Sequence, residues 1–433
     1  MTSLSHAAPT AAVPAGRRRG GSLVRNSALM MGTTAANLVL GYAFWLCAAR
    51  LFSVSDVGLA AAVIAAMTLC GTVGGVGVGN TLIQLLPSRR EDDAWSRTMA
   101  AGMLAAVGLS LLVGVIVLLV LPLLSPEFRP LRDHPLAEAG FLAGVALLVA
   151  GDLIDRAFVA ERASGSMLAR NAVAAVGKIA LVALPLVVAL GSAGIVVAWV
   201  AATAVSLPAG VMLQRRLGRR WRAAGGTGVE MRRIVRTIAG HHIVSVGNMV
   251  PQYVLPLVVA GMLSTAQNGV FYTTWRVAGG FMIVSVAVAT SLFAEGVHDR
   301  ADLGRNVRRA MLVIGSILVP AALGAAVAGR HVLELLGPAY AGGSALLMLL
   351  ALGAFPDAVT NVYVAVLRLE RRFHAAAVLT GTMAVLTIGL SFALIGPFGI
   401  AGVGCAFVAS QSIGCLLVGG DVLRRRRLVS ATG

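Results

Sequence analysis

Few side chains in this 433-residue sequence can do chemistry, and they stand out because they interrupt long apolar stretches. Arg276, in FYTTWRVAGG, falls eight residues past the start of an apolar segment beginning at 268, roughly 12 Å deep at 1.5 Å per residue. A cation near the centre of a bilayer costs at least ~2.5 kcal/mol, so it is expected to face water or a partner. A phosphate-bearing ligand is the chemistry it suits best, and snorkelling to the headgroups is the plainer role. Asp357 and Asn361 share one helix face at i and i+4 behind Pro356, a pair that could carry a coupling proton or sodium ion, or neutralise an arginine. Asn37, Asn80, Gln84, Asn248, Gln252 and Tyr272 offer neutral hydrogen-bonding groups that suit glycan hydroxyls. Their plainer role is bonding between helices, worth about 0.6 kcal/mol each. Asp152, with Asp155 and Arg156 near the end of another segment, reads equally as a gate or as an interfacial ion pair.

Other chemistries find no support. Cys47, Cys70, Cys405 and Cys415 lie in apolar stretches without paired spacing, and His241 and His242 are adjacent but lack zinc spacing. No GxxxxGK[ST] occurs, so neither metal, cofactor nor nucleotide is expected. The glycines Gly71, Gly74, Gly75, Gly77 and Gly79 resemble a phosphate loop only superficially; inside a membrane helix they favour close packing or a bend. A membrane enzyme that processes glycans would need surface acids, and SPEFRPLRDHP, with Glu127, Arg129, Arg132, Asp133 and His134, is the segment that keeps this alternative open. Catalysis is not the expectation.

The elements that must position these groups are set by composition. Hydrophobic residues make up 58% and charged residues 12%, which makes a bilayer the natural solvent. Apolar stretches long enough to cross about 30 Å of hydrocarbon as helices occur near 27–49, 58–86, 99–122, 137–157, 171–190, 193–213, 236–262, 268–292, 308–328, 344–366, 375–395 and 399–420. An all-α integral membrane protein of about twelve spans follows. The formal charge of +17 segregates: thirty of the thirty-five basic residues, Lys178 included, fall on one side of that topology, and only Arg50, Arg129, Arg132 and Arg330 on the other. By the positive-inside rule the basic side, with both termini, is cytoplasmic, and the charge serves topology and anionic lipid headgroups rather than nucleic acid.

The longest polar segment, 214–235, divides the chain into lobes at 25–213 and 236–420, with basic tails at 1–24, expected to be disordered, and at 421–433. A shift of 211 residues matches Arg25 with Arg236, Asn37 with Asn248, Tyr42 with Tyr253, Ser53 with Ser264 and Gly58 with Gly269. Nine identities fall between 25 and 58, so a duplicated six-helix unit is the simplest reading. Six is even, so the copies insert the same way round as a parallel repeat enclosing a central cavity.

The opening stretch RNSALMMGTTAANLVLGYAFWLCAARLFSVSDVGLAAAV resembles the start of polysaccharide-export proteins of the multidrug/oligosaccharidyl-lipid/polysaccharide (MOP) exporter superfamily. GNTLIQLLPS, NGVFYTTWRVAG, TSLFAEG and PDAVTNVYVAVLRLERR extend the likeness over nearly all of 25–420. The resemblance implies two six-helix lobes around a cavity, alternating access, and a polyprenyl-diphosphate oligosaccharide as cargo for surface polysaccharide synthesis at the cytoplasmic membrane. Arg276 would then be the anion contact, and polysaccharide polymerase or glycosyltransferase machinery the partner. Within the same superfamily, drug and cation antiporters couple to H+ or Na+ through membrane carboxylates, an alternative that rests on Asp357.

Overall fold

The computed structural model describes residues 36–89, 91–222, 227–238, 242–298 and 303–432. The expected tail 1–24, the start of the first span and His241 lie outside them. In chain order the helices are α1 (Ala36–Leu51), α2 (Val54–Leu85), α3 (Asp92–Leu124), α4 (Arg129–Asp133), α5 (Pro135–Ala160), α6 (Ser164–Val182), α7 (Pro185–Ala189) and α8 (Ser192–Arg216). They continue as α9 (Thr227–Ile238), α10 (His242–Met262), α11 (Thr265–His298), α12 (Leu303–Glu334), α13 (Ser344–Leu369), α14 (Phe373–Phe398) and α15 (Ile400–Thr432). Among the described residues there is no strand.

Ten of these helices are long and apolar enough to cross a membrane, and two shorter apolar ones, Ala36–Leu51 and Met249–Met262, stand where the first and seventh spans were expected. The protein is therefore a multi-pass membrane protein. The span expected at 171–190 is broken: Leu184 is extended (ψ 132°) because Pro185 follows it, so α6 stops and the one-turn α7 begins. α15 runs on through 421–432, where the sequence reads as a tail. The described parts of the linker are held against the first half. Glu230 of α9 accepts two bonds from Arg89, at 2.7 and 2.9 Å, Trp221 meets Trp95 edge-on at 5.6 Å, and Ser96 bonds the backbone of Arg220 and Arg222.

α2 is the axis of the first half: its apolar window is 72% buried, against 17% for α6 and α12, whose leucines and valines face outward as a lipid surface would require. The turn that starts α2 explains the motif AARLFSVSDVG. Ser53 caps the helix by accepting the N–H of Asp56 at 3.1 Å, and Asp56 in turn accepts the N–H of Ser192 at 2.9 Å, fixing where α8 begins. The preceding residue, Gly191, has φ +57° and lies so close to Asp56 that a side chain would collide with the carboxylate.

Gly58 does something else. A Cβ placed there would lie 1.7 Å from the carbonyl oxygen of Thr265 and 2.6 Å from the nitrogen of Gly269; a Cβ on Gly269 would lie 2.2 Å from the carbonyl oxygen of Val54. These contacts are reciprocal under the 211-residue shift, since Val54 corresponds to Thr265 and Gly58 to Gly269. The two copies thus meet through the same surface on each, about a local two-fold axis, with backbone touching backbone. Ser55 and Thr265 hydroxyls sit 2.6 Å apart and the Asn268 amide donates to Gly58 O at 2.7 Å. Arg50 donates to Leu335 O and Glu127 accepts the Thr265 N–H at 3.1 Å, so the arginine-poor ends of the two halves are closed against each other along this seam.

Candidate substrate-binding site at the seam

Below Gly58 and Gly269, the seam is packed with aromatic rings that end in cations. α1 brings Phe44 and Trp45, α8 brings Trp199, and α11 brings Tyr272 one turn before Arg276. Trp45 lies 4.7 Å from Tyr272 and 6.1 Å from Trp199, with Phe44 5.1 Å from Trp199. The Arg276 guanidinium donates to the Tyr272 hydroxyl at 2.5 Å and lies 5.0 Å from its ring, while Tyr42 of α1 donates to the Arg276 carbonyl. At the other end the Lys178 ammonium stands 3.5 Å over the Trp199 ring.

Lys178 corrects the charge sort. The charge sort counts it on the basic side although it falls within the span expected at 171–190, and the structure holds it in α6, inside the membrane-spanning part of the first half. Arg170 is likewise no loop residue: it is buried, paired with Asp155 at 2.5 Å and bonded to Ser206 at 3.0 Å, with Asn171 completing the Asp155 carboxylate at 2.9 Å. Neither Lys178 nor Trp199 stands out in the sequence as a site residue. The usable signal is that Lys178 is a cation in an otherwise apolar span, the criterion that selects Arg276. Trp199 also leaves its indole N–H buried without a partner among the described residues, a donor available to a ligand.

Of the remaining candidates the structure brings three together. Gln252, Asp357 and Asn361 line one cavity of about 650 Å³ within the second half, with Thr360, Gln411 and Arg368. There Asp357 accepts from Ser285 and from Asn361, each at 2.9 Å, and Asn361 also donates to Ser285 at 3.1 Å. The i, i+4 spacing has put both on one face, and the acid is held by neutral donors rather than by an arginine. Trp275, next to Arg276, lines this cavity, so α11 is its wall on the seam side. Asn37 and Gln84 are exposed and Asn80 half-exposed, none with a hydrogen-bond partner among the described residues. The side chain of Asn248 lies outside the described residues. Asp152 is exposed and pairs with Arg156 at 3.3 Å, one turn away.

Residues 23–294, more than half of the chain, match the sequence profile of polysaccharide biosynthesis proteins. The chain belongs to that family. The Probable flippase AglR of Haloferax volcanii is 24% identical over 173 residues, which is 37% of this chain and 36% of that protein. The match therefore spans about a third of the length of this curated relative. Solved structures show the fold. Lipid II flippase MurJ in an inward closed conformation superposes with a TM-score of 0.72 at 12% identity, over 91% of this chain and 87% of that one. An inward-facing multidrug resistance MATE family transporter of the MOP superfamily gives 0.64 at 14%, over 91% and 95%, and an outward-facing one 0.58 at 16%, over 94% and 96%. The membrane-transporter fold and the MOP superfamily resemblance read from the sequence both hold.

Proposed function

We propose that this polysaccharide biosynthesis protein is a flippase that carries a polyprenyl-diphosphate oligosaccharide across the cytoplasmic membrane by alternating access, without catalysing a reaction on it. The observation that carries the reading is the row of rings with a cation at each end that crosses the seam. Lys178 and Arg276 would hold the diphosphate from opposite halves, Arg276 as a planar fork and Lys178 as a point charge. Trp45, Trp199 and Tyr272 would offer apolar faces and donors to sugar rings, while the prenyl tail stays in lipid. The lobes 25–213 and 236–420 would rock about the Gly58–Gly269 contact with the basic ends, and both termini, in the cytoplasm. No cofactor is required; polymerase or glycosyltransferase machinery would consume the product.

Deleting the gene in its host and weighing membrane glycolipids by mass spectrometry tests this. Accumulation of lipid-linked glycan with loss of surface polymer, rescued by wild type and not by equally expressed Arg276→Ala or Lys178→Ala, is the expected result. Unchanged glycolipids and polymer would overturn it. A second reading, an H+- or Na+-coupled antiporter, is favoured by the Asp357, Asn361 and Ser285 cluster in its own polar cavity. Its signature is drug or cation efflux that Asp357→Asn abolishes.

A further inference from the structure

The first half holds a cavity of about 490 Å³ that the reading above leaves unused, within the size range of small-molecule sites. It is walled by α2, α5 and α8 and roofed by α4, and its lining, from Met67 and Phe141 to Val196, is almost wholly apolar. Gly140 lies on its edge, where a Cβ would meet nothing within 4 Å, so the space is open beside the α5 backbone. Leu136 and Val197, also on the lining, are 89% and 49% exposed, which places the opening on the side of the bundle, where lipid would be.

The polar groups gather at one end: Glu127, His134 and Ser192. The Ser192 N–H is already bonded to Asp56. Glu127 uses Oε2 to accept the Thr265 N–H across the seam; among the described residues Oε1 has no donor and the carboxylate no basic partner. On the roof, Arg129 and Arg132 flank the lining residues Pro130 and Leu131. An apolar slot that opens sideways, with an unpaired carboxylate on its lining and two exposed arginines on the short helix that roofs it, is complementary to a chain bearing a zwitterionic head.

We propose that this pocket binds one acyl chain of an aminophospholipid from the surrounding bilayer, with the ammonium on Glu127 and the phosphate on the arginines of α4. Because Glu127 also holds Thr265, the bound lipid braces the closed seam from the first half. The proposal does not depend on the cargo carried between the halves.

The test uses the full chain in nanodiscs containing phosphatidylethanolamine with a diazirine at the end of one acyl chain, irradiated and mapped by mass spectrometry. Adducts are expected on segments 136–145 and 192–201. They should fall about fivefold or more with Gly140→Trp, which fills the open space, and with Ala193→Phe, which reaches the pocket from its exposed lining and serves if the first variant does not fold. The equivalent phosphatidylglycerol probe should label about fivefold less, and Glu127→Gln should bring the phosphatidylethanolamine signal down to that level. Labelling that ignores both filled variants, or that is equal for the two headgroups in the wild type, overturns the proposal.

Discussion

The two halves meet through reciprocal glycine contacts and differ in what they enclose. The first half has an apolar cavity of about 490 Å³, and its buried charges are locked in the Asp155, Arg170, Asn171 and Ser206 cluster or stacked on Trp199. The second half has a polar cavity of about 650 Å³ in which Asp357 is held by neutral donors alone. Gly58 and Gly269, identical under the 211-residue shift, stand where the backbones touch. The two buried acids differ accordingly: Asp155 is tied to a buried guanidinium, and Asp357 has no cationic partner among the described residues.

The largest expected effect lies at the joint. Gly58→Val cannot be absorbed by a side-chain shift, because the obstruction is the Thr265 carbonyl, and it should cost more than about 4 kcal/mol or abolish folding. Gly108→Val, where a Cβ meets nothing, should leave thermal unfolding unchanged; equal stability of the two variants would falsify the close seam. Next is the contrast between the buried acids. Asp155→Ala strands a guanidinium that is 5% exposed and should cost about 3–5 kcal/mol, read by thermal unfolding in detergent. Asp357→Asn keeps a polar group among neutral donors, so its stability should move by less than about 1 kcal/mol while ion coupling, if the cavity performs it, is lost. If both acids destabilise alike, the halves are not divided as described.

The cations at the seam come third. Lys178→Met and Arg276→Met should each slow clearance of lipid-linked glycan by about tenfold or more, the weight of one charge-assisted hydrogen bond. Because both would grip one diphosphate, the double variant should fall short of the product of the two singles. Multiplicative losses would place the two cations on separate groups. The smallest effect is at Asp152, whose one-turn pair with Arg156 is half exposed: Asp152→Ala should change stability by about 0.5 kcal/mol or less, and a transport defect would be needed to revive it as a gate.

Most of the scaffold was legible because a bilayer demands helices of a certain length, and apolar run length is plain in the sequence. The seam was half legible. The shift of 211 residues pairs Gly58 with Gly269, but that these two glycines touch each other depends on the symmetry axis passing between them. Asp357 and Asn361 were found together because helical spacing links them, whereas Asp155 and Arg170 lie on consecutive helices, where no periodicity operates. Lys178 was lost in a crowd of loop arginines, since counting charges by side discards depth. Glu127 was legible as a loop acid, but its bond to Thr265 joins residues 138 apart and belongs to tertiary structure alone.

The reciprocal contact of Gly58 and Gly269 also bears on ancestry. A residue that packs against its own counterpart makes the contact two identical chains make about a two-fold axis. A chain of half this length would carry both sides of the joint, and with six crossings each copy would enter the membrane in the same orientation. The present protein has the form of such a homodimer made covalent. Fusion gives each partner a fixed neighbour and releases it from having to be a copy, so one half can line its cavity with polar side chains while the other keeps an apolar one.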